Sequence, residues 1–348
     1  MASHGVPRSK QTEKSQEARE QELQKIEKYQ DLERQVRQKV ADHEYTADTL
    51  KQLGDLLESN PEYYTIWNYR RRVLQHQLSQ TDAPQAKLLE KDLQFLIPLL
   101  SKFPKCYWIW NYRLWLLDEA RQVLPLPEAR KIWEGELALV SMFLSKDRRN
   151  FHAWGYRRLV FDTLKQLADA EETRTSMTQK EFEYSDKKIR ENLSNFSAWH
   201  YRTKIIQRLL DEQSASDAER RKMLDDELNF IHQALIDPRD QSLWFYHQNL
   251  MCVFDPSVAE RTMAPNLSVS DRVQYLRDEI EFIEEMLDGD EDCKYIYQAL
   301  IDCTVLVSKV TGTQSDSDRD QILSWLSELK KLDPLRKGRW VDFERSLN

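Results

Sequence analysis

Apolar side chains recur along this chain in paired helical stretches. Behind Asn60-Pro61, the residues Tyr64, Trp67, Arg71 and Leu74 follow at helical spacing, which puts Trp67 and Leu74 on one face. Asn60-Pro61 reads as a helix start, with Asn as the cap and Pro in the first turn. After a polar link comes a second amphipathic stretch, its apolar side made by Leu88, Phe95, Leu96, Leu99 and Leu100. Ile132, Leu137, Val140, Phe143 and Leu144 line the corresponding helix of the next unit, and Leu224, Leu228, Ile231, Leu235 and Ile236 that of the fourth.

The alternation is periodic. Five segments align on Trp67, Trp110, Trp154, Trp199 and Trp244, separated by 43, 44, 45 and 45 residues. A period of ~40–47 residues marks stacked helical hairpins, whereas the tetratricopeptide period is ~34. No single hairpin hides its apolar face, so neighbours stack. The expected fold is all-α, an α–α superhelix: a curved solenoid of helical hairpins with a concave surface. The tryptophan is expected to plug the space between units. The arginine three residues on (Arg70, Arg113, Arg157, Arg202) is expected to cap carbonyls of an adjoining unit or pair with an acid, because four such residues cannot all reach one site.

The ends differ from the middle. Residues 1–20 are expected to form a mobile tip, 21–255 the five repeats, and 256–348 degenerate hairpins that cap the same solenoid. A charged helix with a weak stripe (Leu23, Ile26, Leu32, Val36) leads in. Residues 169–181 and 211–221 read as polar surface loops with helical edges. Beyond Cys252, Asp255-Pro256 and Ala264-Pro265-Asn266 punctuate a linker. A sixth hairpin (Val273–Leu287, Tyr295–Val310) and Ile322–Leu332 close the array.

Composition narrows the function. A formal charge of −8 argues against a nucleic-acid footprint over the whole chain. No apolar run approaches ~18 residues, so no membrane span is expected. Met1 to Lys39 is charged and lacks the apolar centre of a signal peptide. Cys106, Cys252, Cys293 and Cys303 form no zinc-ligand pattern and read as reduced thiols of a cytoplasmic protein. There is no Gly-rich phosphate loop, G-x-S-x-G elbow or H-E-x-x-H helix. His152 and His200 lie inside the repeat words, beside aromatic residues. From the residues alone the reading ends at a helical-repeat interaction protein.

The word P-x-x-[YF]-x-x-W-x-[YH]-R resembles the α-subunit repeat of protein prenyltransferases, over roughly residues 20–255. Asn150 to Arg158, Ser194 to Arg202, Asp240 to His247 and the closing run from Leu332 resemble the Rab geranylgeranyltransferase (type II) most. His4-Gly5 resembles the His-Gly beginning of such subunits, two residues further in. The resemblance implies an enzyme active only as a heterodimer, which transfers geranylgeranyl from geranylgeranyl diphosphate to C-terminal cysteines of Rab GTPases. It implies a catalytic β-subunit that holds the zinc ion (Zn2+), and an escort protein that brings the Rab to the convex face of the central to C-terminal repeats. The immunoglobulin-like and leucine-rich domains of some relatives are not expected here.

The family's site residues carry over onto Pro104-Lys105-Cys106-Tyr107 and Phe151-His152. Lys105 is expected to face the departing diphosphate, with Tyr107 and His152 near the same mouth. Phe151 stands where some relatives have Tyr, so it can only pack. A lysine at a helix start is disfavoured by the helix dipole, which points to an anionic partner. Two other readings stay open: the α-subunit shared by farnesyltransferase and geranylgeranyltransferase type I, and a non-catalytic repeat scaffold.

Overall fold

The computed structural model describes residues 15–80, 82–168 and 170–347. The expected mobile tip up to residue 14, with His4, lies outside these. Among the described residues there are fifteen α-helices and no strand. They form two compact units, one up to Leu167 and one from Ala168.

The first unit holds α1 (Gln16–Ala41), α2 (Ala47–Ser59), α3 (Tyr64–Leu78), α4 (Gln85–Lys102), α5 (Tyr107–Val123), α6 (Leu126–Lys146) and α7 (Phe151–Gln166). Successive helices pack on one another, and α5 also packs on both α3 and α7. The second holds α8 (Glu171–Glu191), α9 (Phe196–Glu212), α10 (Asp217–Ala234), α11 (Gln241–Met251), α12 (Val269–Glu285), α13 (Lys294–Thr311), α14 (Asp316–Leu332) and α15 (Lys337–Ser346). In it α11 packs on α9, α10 and α13.

Each of the five tryptophans sits in an odd-numbered helix, α3 to α11, and all are buried. Each indole N–H donates to the carbonyl six residues earlier, in the turn before its own helix: Trp67 to Pro61 (2.8 Å), Trp110 to Pro104 (2.9 Å), Trp154 to Arg148 (2.9 Å), Trp199 to Leu193 (2.7 Å) and Trp244 to Pro238 (2.6 Å). One face of the indole meets the next repeat, with ring centroids 4.9 Å apart for Trp67–Tyr112, 5.1 Å for Trp110–Tyr156 and 4.4 Å for Trp199–Tyr246. The tryptophan is therefore the expected plug, and its polar edge is satisfied as a buried indole requires. In the degenerate hairpin Tyr297 makes the same bond, to the Glu291 carbonyl six residues back (3.0 Å).

The recurring arginines are buried ties. Arg70 pairs with Asp92, and Tyr112 of the next repeat donates to the same carboxylate (2.5 Å). Arg113 grips Glu136 through two bonds of 2.7 Å, and Tyr156 donates to Glu136 (2.5 Å). Arg202 does the same with Glu227 (2.8 and 2.6 Å), and Tyr246 completes it. Arg70 and Arg113 also donate to the Leu50 and Leu93 carbonyls (2.8 Å each), as capping groups would. Burial costs each charge its hydration, and the bidentate geometry with the shared tyrosine offsets that cost.

Several boundaries differ from the sequence reading. Asn60 and Pro61 do not start a helix: Asn60 closes α2, its Oδ1 accepts from the Glu62 amide (3.3 Å), and α3 begins at Tyr64. The span 169–181 is mostly the first half of α8, not a loop. Its inward side carries Thr178, Glu181, Ser185 and Lys188, polar groups satisfied within the unit by bonds such as Tyr201 to Glu181 (2.8 Å). The span 211–221 shrinks to residues 213–216, after which Ser216 and Glu219 cap α10 reciprocally. Ile236 lies past the end of α10 and is 88% exposed, so it does not line that helix. Leu23 and Ile26 are also exposed, and only Val36 of the α1 stripe is buried.

In the fifth repeat the arginine position is His247. Its Nε2 (2.9 Å) and that of His232 (2.7 Å) both meet Glu279 of α12. Burial opposes charge on Glu279, but the two imidazole bonds outweigh it and hold the carboxyl down at about 2. That value lies below the ordinary ~4.3 of an unfolded glutamate, so the stabilisation is complete above the unfolded value and is lost as pH falls through the folded one. Denaturant unfolding as a function of pH should show a loss on the order of 3 kcal/mol spread from about pH 4.5 downwards. Glu279→Gln should flatten that part of the profile, and an unchanged slope in the variant would contradict the assignment.

Candidate functional site

The turns before α5 and α7 are neighbours. The Pro104 carbonyl accepts from the Trp110 indole and from Asn150 Nδ2 (3.0 Å), so one oxygen ties the residue before Lys105 to the residue before Phe151. Asn150 also caps α7 through its Oδ1, which accepts from the His152 and Ala153 amides (3.0 and 3.3 Å). No side-chain hydrogen bond caps the start of α5, beside Lys105.

This lock brings the expected residues together. The Tyr107 ring meets His152 edge-on at 4.2 Å, and Phe151 stacks on His152 at 4.1 Å. Tyr107 and Phe151 are more than half exposed, while His152 is buried between them. Burial pushes the His152 imidazole below its ordinary value, and the nearby Lys105 charge pushes it further the same way. A neutral imidazole thus stands beside an ammonium. Lys105 is 48% exposed and its Nζ lies 3.9 Å from Asp147 Oδ2. The combination of an ammonium, an uncapped helix start and a phenol is suited to an anion with several oxygens.

The sequence reading missed Asp147 and Asn150. Asn150 was findable, since Cys106 and Asn150 occupy the same place four residues before the tryptophan, and both bond to the carbonyl of the preceding turn, Cys106 to Pro61 at 3.5 Å. Burial raises the Cys106 thiol to about 11, consistent with a packing role. Cys293 is a buried free thiol of the same kind, Cys303 is buried, and Cys252 is exposed. His200, the other histidine of the repeat words, is exposed and lies in α9 of the second unit.

The second unit has its own cavity of about 460 Å³, lined by Trp244, Phe245, Tyr295, Asp302 and Phe343 among others. Burial raises the Asp302 carboxyl there to about 6. Among the described residues no group of three or more His, Cys, Asp or Glu could hold a metal ion. No described helix is long and apolar enough to cross a membrane.

A sequence model of the family described as "Protein prenyltransferase alpha subunit repeat" matches residues 47–77, 89–120, 133–164 and 178–209. Each window joins an even helix to the following odd helix across a four-residue turn. The hairpin of Trp244 falls outside these windows yet keeps the indole-to-carbonyl bond. The chain is similar to the geranylgeranyl transferase type-2 subunit alpha of Schizosaccharomyces pombe, 33% identical over 99% of this chain and 98% of that protein. It is also similar to the Saccharomyces cerevisiae protein of the same name, 33% identical over 97% of this chain and 98% of the relative. With the Rattus norvegicus subunit it shares 36% identity over 73% of this chain and 42% of that longer protein. Among solved structures it superposes on Candida albicans protein geranylgeranyltransferase-I complexed with GGPP, with a TM-score of 0.65 and 22% identity over 92% of this chain and 91% of that one. That likeness shows the fold, an α–α superhelix.

A carbon-13 or proton NMR titration of His152 should place its midpoint below the ordinary ~6.5 of histidine. Lys105→Met should move it upward, because the ammonium is one of the two groups that depress it. A midpoint unmoved by that change would separate the two side chains.

Proposed function

Since the chain belongs to the protein prenyltransferase α-subunit family, we propose that it is the α-subunit of a heterodimeric protein geranylgeranyltransferase of type II. In this reading it serves, with a catalytic β-subunit, the transfer of geranylgeranyl from geranylgeranyl diphosphate to C-terminal cysteines of Rab GTPases in the cytoplasm. The observation that carries the reading is the 33% identity along essentially the whole length of two yeast type-2 α-subunits. The resemblance to a type-I enzyme rests on fold at 22% identity and does not favour the shared subunit.

No described group of this chain fits a zinc ion. In this reading the zinc of the reaction belongs to the β-subunit, and the roles below are those of this chain's own side chains. As the bond from the lipid C1 to the diphosphate breaks, negative charge grows on the departing oxygens. Lys105, at the positive end of α5, would stabilise such charge more in the transition state than in the ground state. The Tyr107 hydroxyl is a donor at the same lip. His152, held neutral and buried, supports the Tyr107 ring and can donate one hydrogen bond without adding a second cation. Phe151 packs only. The escort protein docks on outer helices of the central to C-terminal repeats and presents the Rab.

The test is co-expression with a type-2 β-subunit, followed by transfer assays on Rab with and without escort protein and on CaaX peptides. Rab modification that needs the escort protein is expected. Lys105→Ala should slow single-turnover transfer about tenfold, less than the loss of a fully buried oxyanion donor, while the αβ complex persists. An unchanged single-turnover rate would retire Lys105. Modification of CaaX peptides alone would transfer the chain to the shared-subunit class.

A further inference from the structure

Asp147 has a place in the site that its fold role does not explain. It stands seven residues before Trp154, where the other repeats have Asn60, Phe103, Asn192 and Asp237. Its Oδ1 accepts from the Arg149 amide (3.3 Å), which shapes the turn into α7. Asn60 and Asn192 form the same turn with an amide side chain, accepting from Glu62 (3.3 Å) and Ser194 (3.0 Å). Asp237 forms it with a carboxylate (Arg239 amide, 3.1 Å), and Phe103 fills the place with no side-chain oxygen, so the turn does not ask for a charge. At position 147 the second oxygen, Oδ2, faces the Lys105 ammonium at 3.9 Å, and both side chains are close to half exposed.

Lys105 has four rotatable bonds and an exposed head, so an unrestrained ammonium would spend most of its time in solvent. Its turn is anchored by Pro104, but that anchor fixes the backbone alone. Asp147 is the carboxylate within ion-pair distance of the head. We propose that Asp147 is a positioning residue, whose Oδ2 holds the Lys105 ammonium over the lip formed by Tyr107 and His152 and leaves the ammonium's other N–H donors to an incoming polyphosphate. An ammonium has three donors, and the loose 3.9 Å contact occupies at most one of them, so the diphosphate can be met without breaking the pair. This inference rests on the assignment of Lys105 to the diphosphate.

Asp147→Asn in the αβ heterodimer tests it, because the amide keeps the turn, as Asn60 and Asn192 do, and removes only the charge. Size exclusion should show an intact heterodimer. With geranylgeranyl diphosphate as the probe, the single-turnover rate should fall about three- to fivefold, the scale of an exposed ion pair, while the dissociation constant of the diphosphate stays within about twofold. In the Lys105→Ala background the same change should cost nothing further, since its effect runs through the ammonium. An unchanged rate in Asp147→Asn overturns the proposal, as does an equal fold-loss in both backgrounds, which would mean a direct field of Asp147 on the substrate. Should Lys105→Ala itself be silent, the reading of Lys105 fails and this proposal with it, a result distinguishable from silence at Asp147 alone.

Discussion

The bond from each tryptophan indole to the carbonyl six residues earlier is the constraint on which the repeat depends. A turn between buried helices exposes carbonyls that have no helical partner, and a buried indole has a donor that must be used. One bond satisfies both. It also fixes the turn against the first two windings of the helix that follows. Lys105 lies five residues before its tryptophan, Tyr107 three before, and His152 two before the next one, so all three fall inside the stretch this bond holds. The site is a by-product of how the hairpins begin. At one place, the Pro104 carbonyl, a second donor from the next repeat joins in and draws two such stretches together.

Between repeats the ties are ionic. A bidentate arginine, a buried carboxylate and a tyrosine hydroxyl recur as Arg70–Asp92–Tyr112, Arg113–Glu136–Tyr156 and Arg202–Glu227–Tyr246. In each, burial pushes the tyrosine far above its ordinary range, and the neighbouring carboxylate adds to that, so the phenol stays a donor. The arginine keeps its charge at any pH a cell meets. Where the array degenerates, His247 and His232 replace the guanidinium around Glu279.

The tryptophan period was legible because one residue type returns at one offset, and the arginine pairing followed from the impossibility of four charges sharing a site. The helix boundaries were less so. Asn60-Pro61 has the composition of a helix start, yet proline also suits the extended turn that precedes one, and the turn prevailed. Helix α8 was hidden because its buried side is polar: Thr178, Glu181 and Ser185 carry no hydrophobic period to read. Ile236 is apolar but lies two residues past the helix that would have turned it inward. Lys105, Tyr107 and His152 came from resemblance, and the structure places them within one cluster. Asp147 stands 42 residues from Lys105, and no local pattern joins the two.

In the function proposed above, the starts of α3, α5 and α7 are presented to a companion subunit. They carry Tyr64, Tyr107 and Phe151, each more than half exposed in the chain described here. Hydroxyl-radical footprinting of the αβ heterodimer, compared with the chain alone, measures this directly. Strong protection of Tyr107 and Phe151 on assembly, with little change at the exposed Leu335, is the expected result. Rings that stay as reactive in the heterodimer as in the free chain would contradict the claim that these helix starts form the shared mouth.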